Sequence, residues 1–298
     1  MRLVIAVWFA AACSGTGAGV GAPSPNPPAK QGRAERLPLG SVEAYALEDG
    51  HLTVPNDGQL LGFGRPTSET AELLAAAGLP RDTIGLDIQC LLVTAGDRVV
   101  LFDAGGGALV PGAGHLLQSL ALANVAPSAV TDIFISHAHS DHLGGLVTKA
   151  GALAFPAATI HMSVPEWAAF QANTDDDSKR FVTAIASKVS AFEPGAQVLP
   201  FVKAVATPGH TPGHSSYEIG GAADRLFYLG DVAHHSVISV QRPAWEMGVD
   251  ADRAAAVAMR QQTLAKLAAD HPRVFAGHFP FPGTGTLVTS GQGLVWQP

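Results

Sequence analysis

Six consecutive residues constrain this chain more than any other feature: His137-Ala138-His139-Ser140-Asp141-His142. His137, His139, Asp141 and His142 are metal-ligand types. They follow Ile133-Phe134-Ile135, an apolar run that reads as a buried strand. One ion cannot easily take all four from so short a turn. His137 and His139 can converge on one cation while Asp141 and His142 turn toward another, so the stretch predicts a dinuclear metal site at a strand end. The rival reading is a solvated polar turn that opens a helix.

The rest of the chain narrows the class. The 298 residues could hold one large domain or two small ones, and with 47% hydrophobic and only 14% charged there is apolar material for a sizeable core. The formal net charge is −7 and no basic block occurs, so nucleic acid is not an expected partner, because phosphate binding relies on clustered Lys and Arg. Cys90 lies in the apolar run Ile88-Gln89-Cys90-Leu91-Leu92-Val93 and reads as a buried, inert thiol. Cys13 differs. It follows Met1-Arg2, the apolar run Leu3 to Phe9 and Ala10-Ala11-Ala12, the layout of a secretory leader. Cysteine at that point is similar to a bacterial lipoprotein signal. Residues 1–13 are therefore expected to be a leader, with Cys13 lipidated and the protein exported to the periplasm or tethered to the outer membrane. Cleavage near Ala22 is the alternative.

Residues 14–36 are rich in Gly, Ser, Pro and Ala and read as a flexible linker, with order expected from Leu37. Beyond it, short apolar strands alternate with turns and helices. Asp49-Gly50 predicts a hairpin between Val42–Leu47 and Leu52–Val54, and Gly96-Asp97 predicts a second before Val99–Phe102. Residues 59–80, with a short Ala/Leu helix, read as a lid or pocket rim or as a peripheral packing element. Asp175-Asp176-Asp177 reads as a solvated loop. Asp250 and Asp252 can cap a helix reaching about Asp270. The interleaving predicts an α/β layered domain over residues 37–298.

Three later segments end in ligand types, each after an expected strand: Thr207-Pro208-Gly209-His210-Thr211-Pro212-Gly213-His214, Gly230-Asp231 and Gly277-His278. A carboxylate such as Asp231 can bridge two cations through its two oxygens. Imidazole with carboxylate and no thiolate suits Zn²⁺ and also admits Mn, Fe or Co.

His137-x-His139-x-Asp141-His142 followed by Gly144-Gly145 resembles the signature of metallo-β-lactamase-fold hydrolases. The resemblance implies an αββα four-layer sandwich with two divalent cations. It places His137, His139 and His214 on the first cation, Asp141, His142 and His278 on the second, and Asp231 between them. His214 is taken as the ligand of its repeat, with His210 behind the ligands, and Asp103 of Asp103-Ala104-Gly105 supports the site from outside. The expected catalytic residues are Asp141, Asp231 and His234. Phe63, Trp167, Phe279 and Phe281 are candidates for the pocket wall, weighed against ordinary core roles.

Within that family, Ala46-Leu47-Glu48-Asp49-Gly50, Asp176-Asp177-Ser178-Lys179 and His278-Phe279-Pro280-Phe281-Pro282-Gly283 look closest to the methyl parathion hydrolase-like branch. Quorum-sensing lactonases share the ligand set but usually carry Tyr where His234 stands. The implied function is an exported hydrolase that uses metal-bridging hydroxide on an ester-like bond, an organophosphate triester or a lactone, in a small apolar substrate. The rivals are a β-lactamase-type amide hydrolase and a non-hydrolytic iron or metal-binding protein. A small molecule is the expected partner, a membrane enters only through a lipid on Cys13, and a homodimer is left open.

Overall fold

A computed structural model describes residues 31–39, 42–221, 225–291 and 293–298, so the expected leader and Cys13 lie outside the described residues. Two seven-stranded sheets form the centre. The first holds β1 (Ala34–Leu39), β2 (Val42–Pro55), β3 (Thr83–Ala95), β4 (Arg98–Phe102), β5 (Asp132–Phe134), β6 (Thr159–Ser163) and β7 (Val189–Phe192), in that spatial order. The second holds β8 (Gln197–Leu199), β9 (Val202–Ala206), β10 (Ser215–Ile219), β11 (Leu226–Tyr228), β12 (Arg273–Phe275), β13 (Thr284–Ser290) and β14 (Gly293–Gln297). Strands β1 to β4 are antiparallel, whereas β4 to β7 run parallel.

Helices α1 (Thr67–Ala76), α2 (Leu116–Leu122), α3 (Ser140–Leu143), α4 (Val164–Gln171), α5 (Asp176–Ile185), α6 (Ile238–Gln241) and α7 (Arg253–Asp270) complete the domain. Leu116, Leu120, Phe170, Phe181 and Ile185 of α2, α4 and α5 pack on the outer face of the first sheet. Leu264, Leu267 and Ala268 of α7 cover the second. Between the sheets Phe102, Phe134, Tyr217, Tyr228 and Phe275 form one aromatic cluster, with Phe102 and Phe134 stacked at 5.3 Å. The result is the αββα sandwich. Each fully buried ring is worth about 1.5–3 kcal/mol, so apolar contact sets the scaffold and leaves the polar end free for chemistry.

Several local expectations change. The strand β1 starts at Ala34, ahead of the expected order at Leu37, because residues 34–39 pair along β2 and Arg33 ion-pairs with the buried Glu48. Asp49-Gly50 makes no hairpin; β2 runs through it with a bulge between Glu48 and Gly50. The Asp49 carboxylate is buried there and accepts the N–H groups of Gly106, Gly114 and Leu116, so its turn-like composition serves a long-range contact. The Gly96-Asp97 hairpin is present, pairing Ala95 with Arg98. The run Asp175-Asp176-Asp177 is a helix start: Asp175 caps α5 by accepting from Ser178, and the other two occupy its first turn.

The segment 59–80 is fastened down. Leu61 bridges to Met247, and Leu61 and Leu74 are buried with Ile84, Leu86, Ile238, Trp245 and Met247. It is a packed element that braces the approach to residue 250.

Candidate metal centre

The ends of β5, β9, β11 and β12 deliver the candidate ligands to one edge of the sandwich. Strand β5 leads into the His137 turn, and α3 carries Asp141 and His142. Strand β9 leads to His210, β11 to Asp231 and β12 to His278.

Two clusters result. His137 Nε2, His139 Nδ1 and His210 Nε2 stand 2.9–3.1 Å apart. Asp231 Oδ2 lies 3.4 Å from His210 and 3.7 Å from His137. In the second cluster His142 Nε2 and His278 Nε2 are 3.2 Å apart, with Asp141 Oδ2 at 3.4 Å from His278. Asp231 Oδ1 is 3.3 Å from both imidazoles. One carboxylate thus turns one oxygen to each cluster.

The partners of the outer nitrogens decide what the inner ones can do. Asp103 Oδ2 takes His142 Nδ1 at 2.7 Å, Asp250 Oδ1 takes His210 Nδ1 at 2.9 Å, and the Asp87 carbonyl takes His278 Nδ1 at 2.8 Å. These oxygens only accept, so each Nδ1 carries a proton and Nε2 is the nitrogen left for a cation. The Ser136 hydroxyl donates to Asp103 and therefore accepts from His137 Nδ1, with the same consequence. Lone pairs converging at about 3 Å repel unless a cation sits between them. Zn–N bonds of about 2.0–2.1 Å set tetrahedral ligand edges of about 3.3–3.4 Å, close to the observed spacings. Asp231 Oδ1, buried without a hydrogen-bond partner, is a further acceptor awaiting a cation. The residues fit two divalent metals.

His214 is the main correction to the sequence expectation. Its Nε2 accepts the Asp231 N–H at 2.8 Å and its Nδ1 meets the Thr207 hydroxyl at 2.8 Å, so no lone pair is left for a cation. Burial pushes its pKa down to about 3, which keeps Nε2 an acceptor. His210, expected behind the ligands, enters the first cluster instead. Asp103 does support the site: it also accepts from Ser136 N–H and the Tyr228 hydroxyl, each at 2.7 Å. It holds φ 58°, a conformation Asp tolerates better than most residues.

His234 lies in the site. Its Nε2 is 3.3 Å from Asp231 Oδ2, and neither ring nitrogen has a hydrogen-bond partner. Its neighbour His235 turns away, and its Nδ1 accepts the N–H groups of Val237 and Ile238. The pocket-wall expectations fare worse. Phe279 is 1% exposed and packs edge-on against Trp296, so it is core. Trp167 packs on the first-sheet core beside Phe170. Phe281 and Phe63 lie under the guanidinium groups of Arg33 and Arg253. None of the four is placed on the metal ligands.

Charge separates the clusters. In the first, burial and neighbouring imidazoles hold His137 well below its ordinary pKa and His139 down to about 3. In the second, burial opposes protonation, yet Asp231 and Asp141 raise His142 well above its ordinary value and His278 to about 9. Burial also opposes ionisation of Asp231, but His142, His278 and His234 hold its carboxyl well below the usual range. Cys90 is fully buried, which pushes its thiol well up, in keeping with an inert role.

The Metallo-beta-lactamase superfamily model matches residues 83–278, from β3 through the last ligand. The chain belongs to that superfamily. Among solved structures, this metallo-β-lactamase-fold chain is similar to AidC, a dizinc quorum-quenching lactonase. The two share 28% identity and a TM-score of 0.85, covering 90% of this chain and 97% of that one. The hydrolase AbOPH of the beta lactamase superfamily shares 26% identity at a TM-score of 0.81, over 89% of this chain and 97% of that one. A quorum-quenching N-acyl homoserine lactone lactonase, 18% identical at a TM-score of 0.60 over 83% of this chain and 93% of that one, shares the fold. A curated relative, the uncharacterized protein YobT of Bacillus subtilis (strain 168), is 29% identical over 139 residues, 44% of this chain; the match spans 56% of YobT.

Sequence reasoning missed the residues that aim the ligands. Asp250 reads as a helix cap, but Asp252 caps α7 alone. Asp250 instead holds His210 and faces Arg260 Nη1 at 3.5 Å. Arg260 is 1% exposed and donates to the carbonyls of Pro243 and Trp245. An arginine on the buried side of an amphipathic helix was the available signal.

Proposed function

We propose that this metal-dependent hydrolase is a dizinc enzyme that opens an ester bond in a small, mostly apolar molecule, a lactone before any other. The observation that carries the reading is Asp231, whose two oxygens are divided between an all-imidazole cluster and a mixed imidazole–carboxylate one. His137, His139 and His210 would hold one cation, Asp141, His142 and His278 the other, with Asp231 shared. Two such cations supply Lewis acidity and lower the pKa of water toward neutrality. The imidazole-rich donor set suits zinc, and the likeness to the dizinc lactonase AidC supports zinc and a lactone.

The chain's own groups divide the remaining work. Asp103, Asp250 and the Asp87 carbonyl hold the imidazoles in the tautomer that leaves Nε2 open. His234, with both ring nitrogens unpartnered beside Asp231, is placed to donate a hydrogen bond to the ester carbonyl or to its leaving oxygen. The features that resembled the methyl parathion hydrolase-like branch are framework here. Asp49 binds three backbone N–H groups, Asp176 and Asp177 open α5, and Phe279 is core. They carry no preference for a phosphotriester.

A hydrolysis panel tests the reading: N-hexanoyl homoserine lactone, a dialkyl aryl phosphotriester and a cephalosporin, each with zinc-loaded and chelator-stripped protein. The lactone should turn over at least roughly 10²-fold faster than the other two, and only with metal. A faster phosphotriester or β-lactam reaction, or lactone turnover indifferent to chelation, overturns it.

A further inference from the structure

The carboxylate of Glu166 lies outside both ligand sets and is fully buried. Its three hydrogen bonds all come from the two loops that supply the first imidazole cluster. Oε1 accepts the N–H of Ala138, which sits between His137 and His139, at 2.8 Å. Oε2 accepts the hydroxyl of Thr211, the residue after His210, at 2.7 Å, and the N–H of Gly213 at 2.9 Å. No donor comes from the Asp141–His142 turn or from the His278 loop. Every partner donates, so the ionised carboxylate is the form that satisfies them.

The approach is tight. Helix α4 is capped by Ser163, whose hydroxyl also donates to the Gly213 carbonyl at 2.6 Å. A Cβ on Gly213 would collide with the Glu166 backbone nitrogen, so only glycine lets the loop seat on the helix start. The second Thr-Pro-Gly-His copy therefore holds the first copy in place and supplies none of the clustered nitrogens.

We infer that Glu166 is a positioning residue: it ties the His137–His139 turn to the His210 loop and sets the spacing of the three imidazoles around the first cation, leaving the second untouched. The inference rests on the dinuclear reading above. Breaking the tie frees two loops that belong to different sheets, and three donors would lose their shared acceptor. In Glu166→Gln the amide oxygen can serve only one end, and even in the better orientation the amide nitrogen faces the Ala138 N–H, so the tie is lost at one end while the side-chain volume is kept.

The test measures Zn²⁺ affinity by chelator competition in two backgrounds. In His278→Ala the tightly held ion reports the first site, and in His210→Ala it reports the second. Adding Glu166→Gln should weaken the first by about 10–100-fold, the usual effect of losing a group that orients metal ligands. The second should stay within about twofold, as for independent sites. Thr211→Val, which removes one donor and keeps the shape, should move in the same direction by a smaller factor and serves if Glu166→Gln does not fold. Equal losses in both backgrounds, or no loss in either, overturn the inference. Wild-type protein that binds fewer than two Zn²⁺ overturns the dinuclear reading itself. Should that single ion still weaken on Glu166→Gln and depend on His210, the positioning role stands alone.

Discussion

The two halves of the metal centre share Asp231, the His137–His142 turn and the carboxylate of Asp103, and differ in the rest. The first cluster is three imidazoles, drawn from the His137 turn and the His210 loop. Burial and mutual repulsion keep His137 and His139 neutral. The second pairs His142 and His278 with Asp141, and the carboxylates favour charge on both imidazoles, His278 to about 9. Their supports differ as well. The first is braced by the carboxylates of Glu166 and Asp250. The second leans on Asp103 at the end of β4 and on the backbone of β3. A dinuclear site need not be symmetric. Here one half is built from imidazoles and one oxygen of Asp231, and the other adds the carboxylate of Asp141, which keeps 22% side-chain exposure.

The largest expected effect comes from removing what the halves share. Asp231→Ala should strip or scramble both cations and lower turnover by roughly 10³-fold or more, since both metal-assisted steps need the pair. Native mass spectrometry counts the bound zinc. A variant that keeps two ions and near-normal rates would mean that Asp231 does not join the clusters.

Next come the substitutions that should separate the halves. His210→Ala removes a first-cluster nitrogen and should cost that cation, leaving one ion per chain. His278→Ala should do the same to the second. His214→Ala sharpens the contrast, because it leaves all clustered nitrogens in place but orphans the Asp231 N–H, a loss of about 1–3 kcal/mol in stability. Two ions should remain, bound more weakly, with a lowered melting temperature. If His214→Ala empties the first site while His210→Ala keeps both ions, the roles of the two histidines are reversed.

The smallest structural effect belongs to His234→Phe. It touches neither cluster's nitrogens, so two zinc ions should stay bound while turnover falls roughly 10²-fold, the usual size of one acid–base or oxyanion contact. Unchanged kinetics would make His234 a bystander. Lost metal would move it into the ligand set.

Much of this was legible in the chain. The His137 motif, the strand before each candidate ligand and the layered α/β pattern follow from local order, because a strand end followed by ligand types points those side chains to one edge; the supporting role of Asp103 comes from the family resemblance. Where the reading failed, a local signal had a distant partner. Asp49-Gly50 has hairpin composition, yet its carboxylate binds backbone near residues 106–116. Asp250 sits where a cap belongs, yet it faces His210. Phe279 follows a ligand, yet its ring turns to Trp296.

The Thr-Pro-Gly-His repeat marks the boundary most sharply. By itself the sequence determined that a strand ends in two tight turns carrying His210 and His214, and that His137, His139, Asp141 and His142 share one short turn. It could not choose between the two histidines, because the two copies are identical. Tertiary structure made the choice. Glu166 and Ser163 seat Gly213 against α4, Asp250 fixes His210 by Nδ1, and the backbone of Asp231 takes the lone pair of His214. Those partners lie 17 to 50 residues away in the chain. Seating α4 against the His210–His214 loop, and pairing β9, β10 and β11 side by side, brings their donors and acceptors within hydrogen-bond reach.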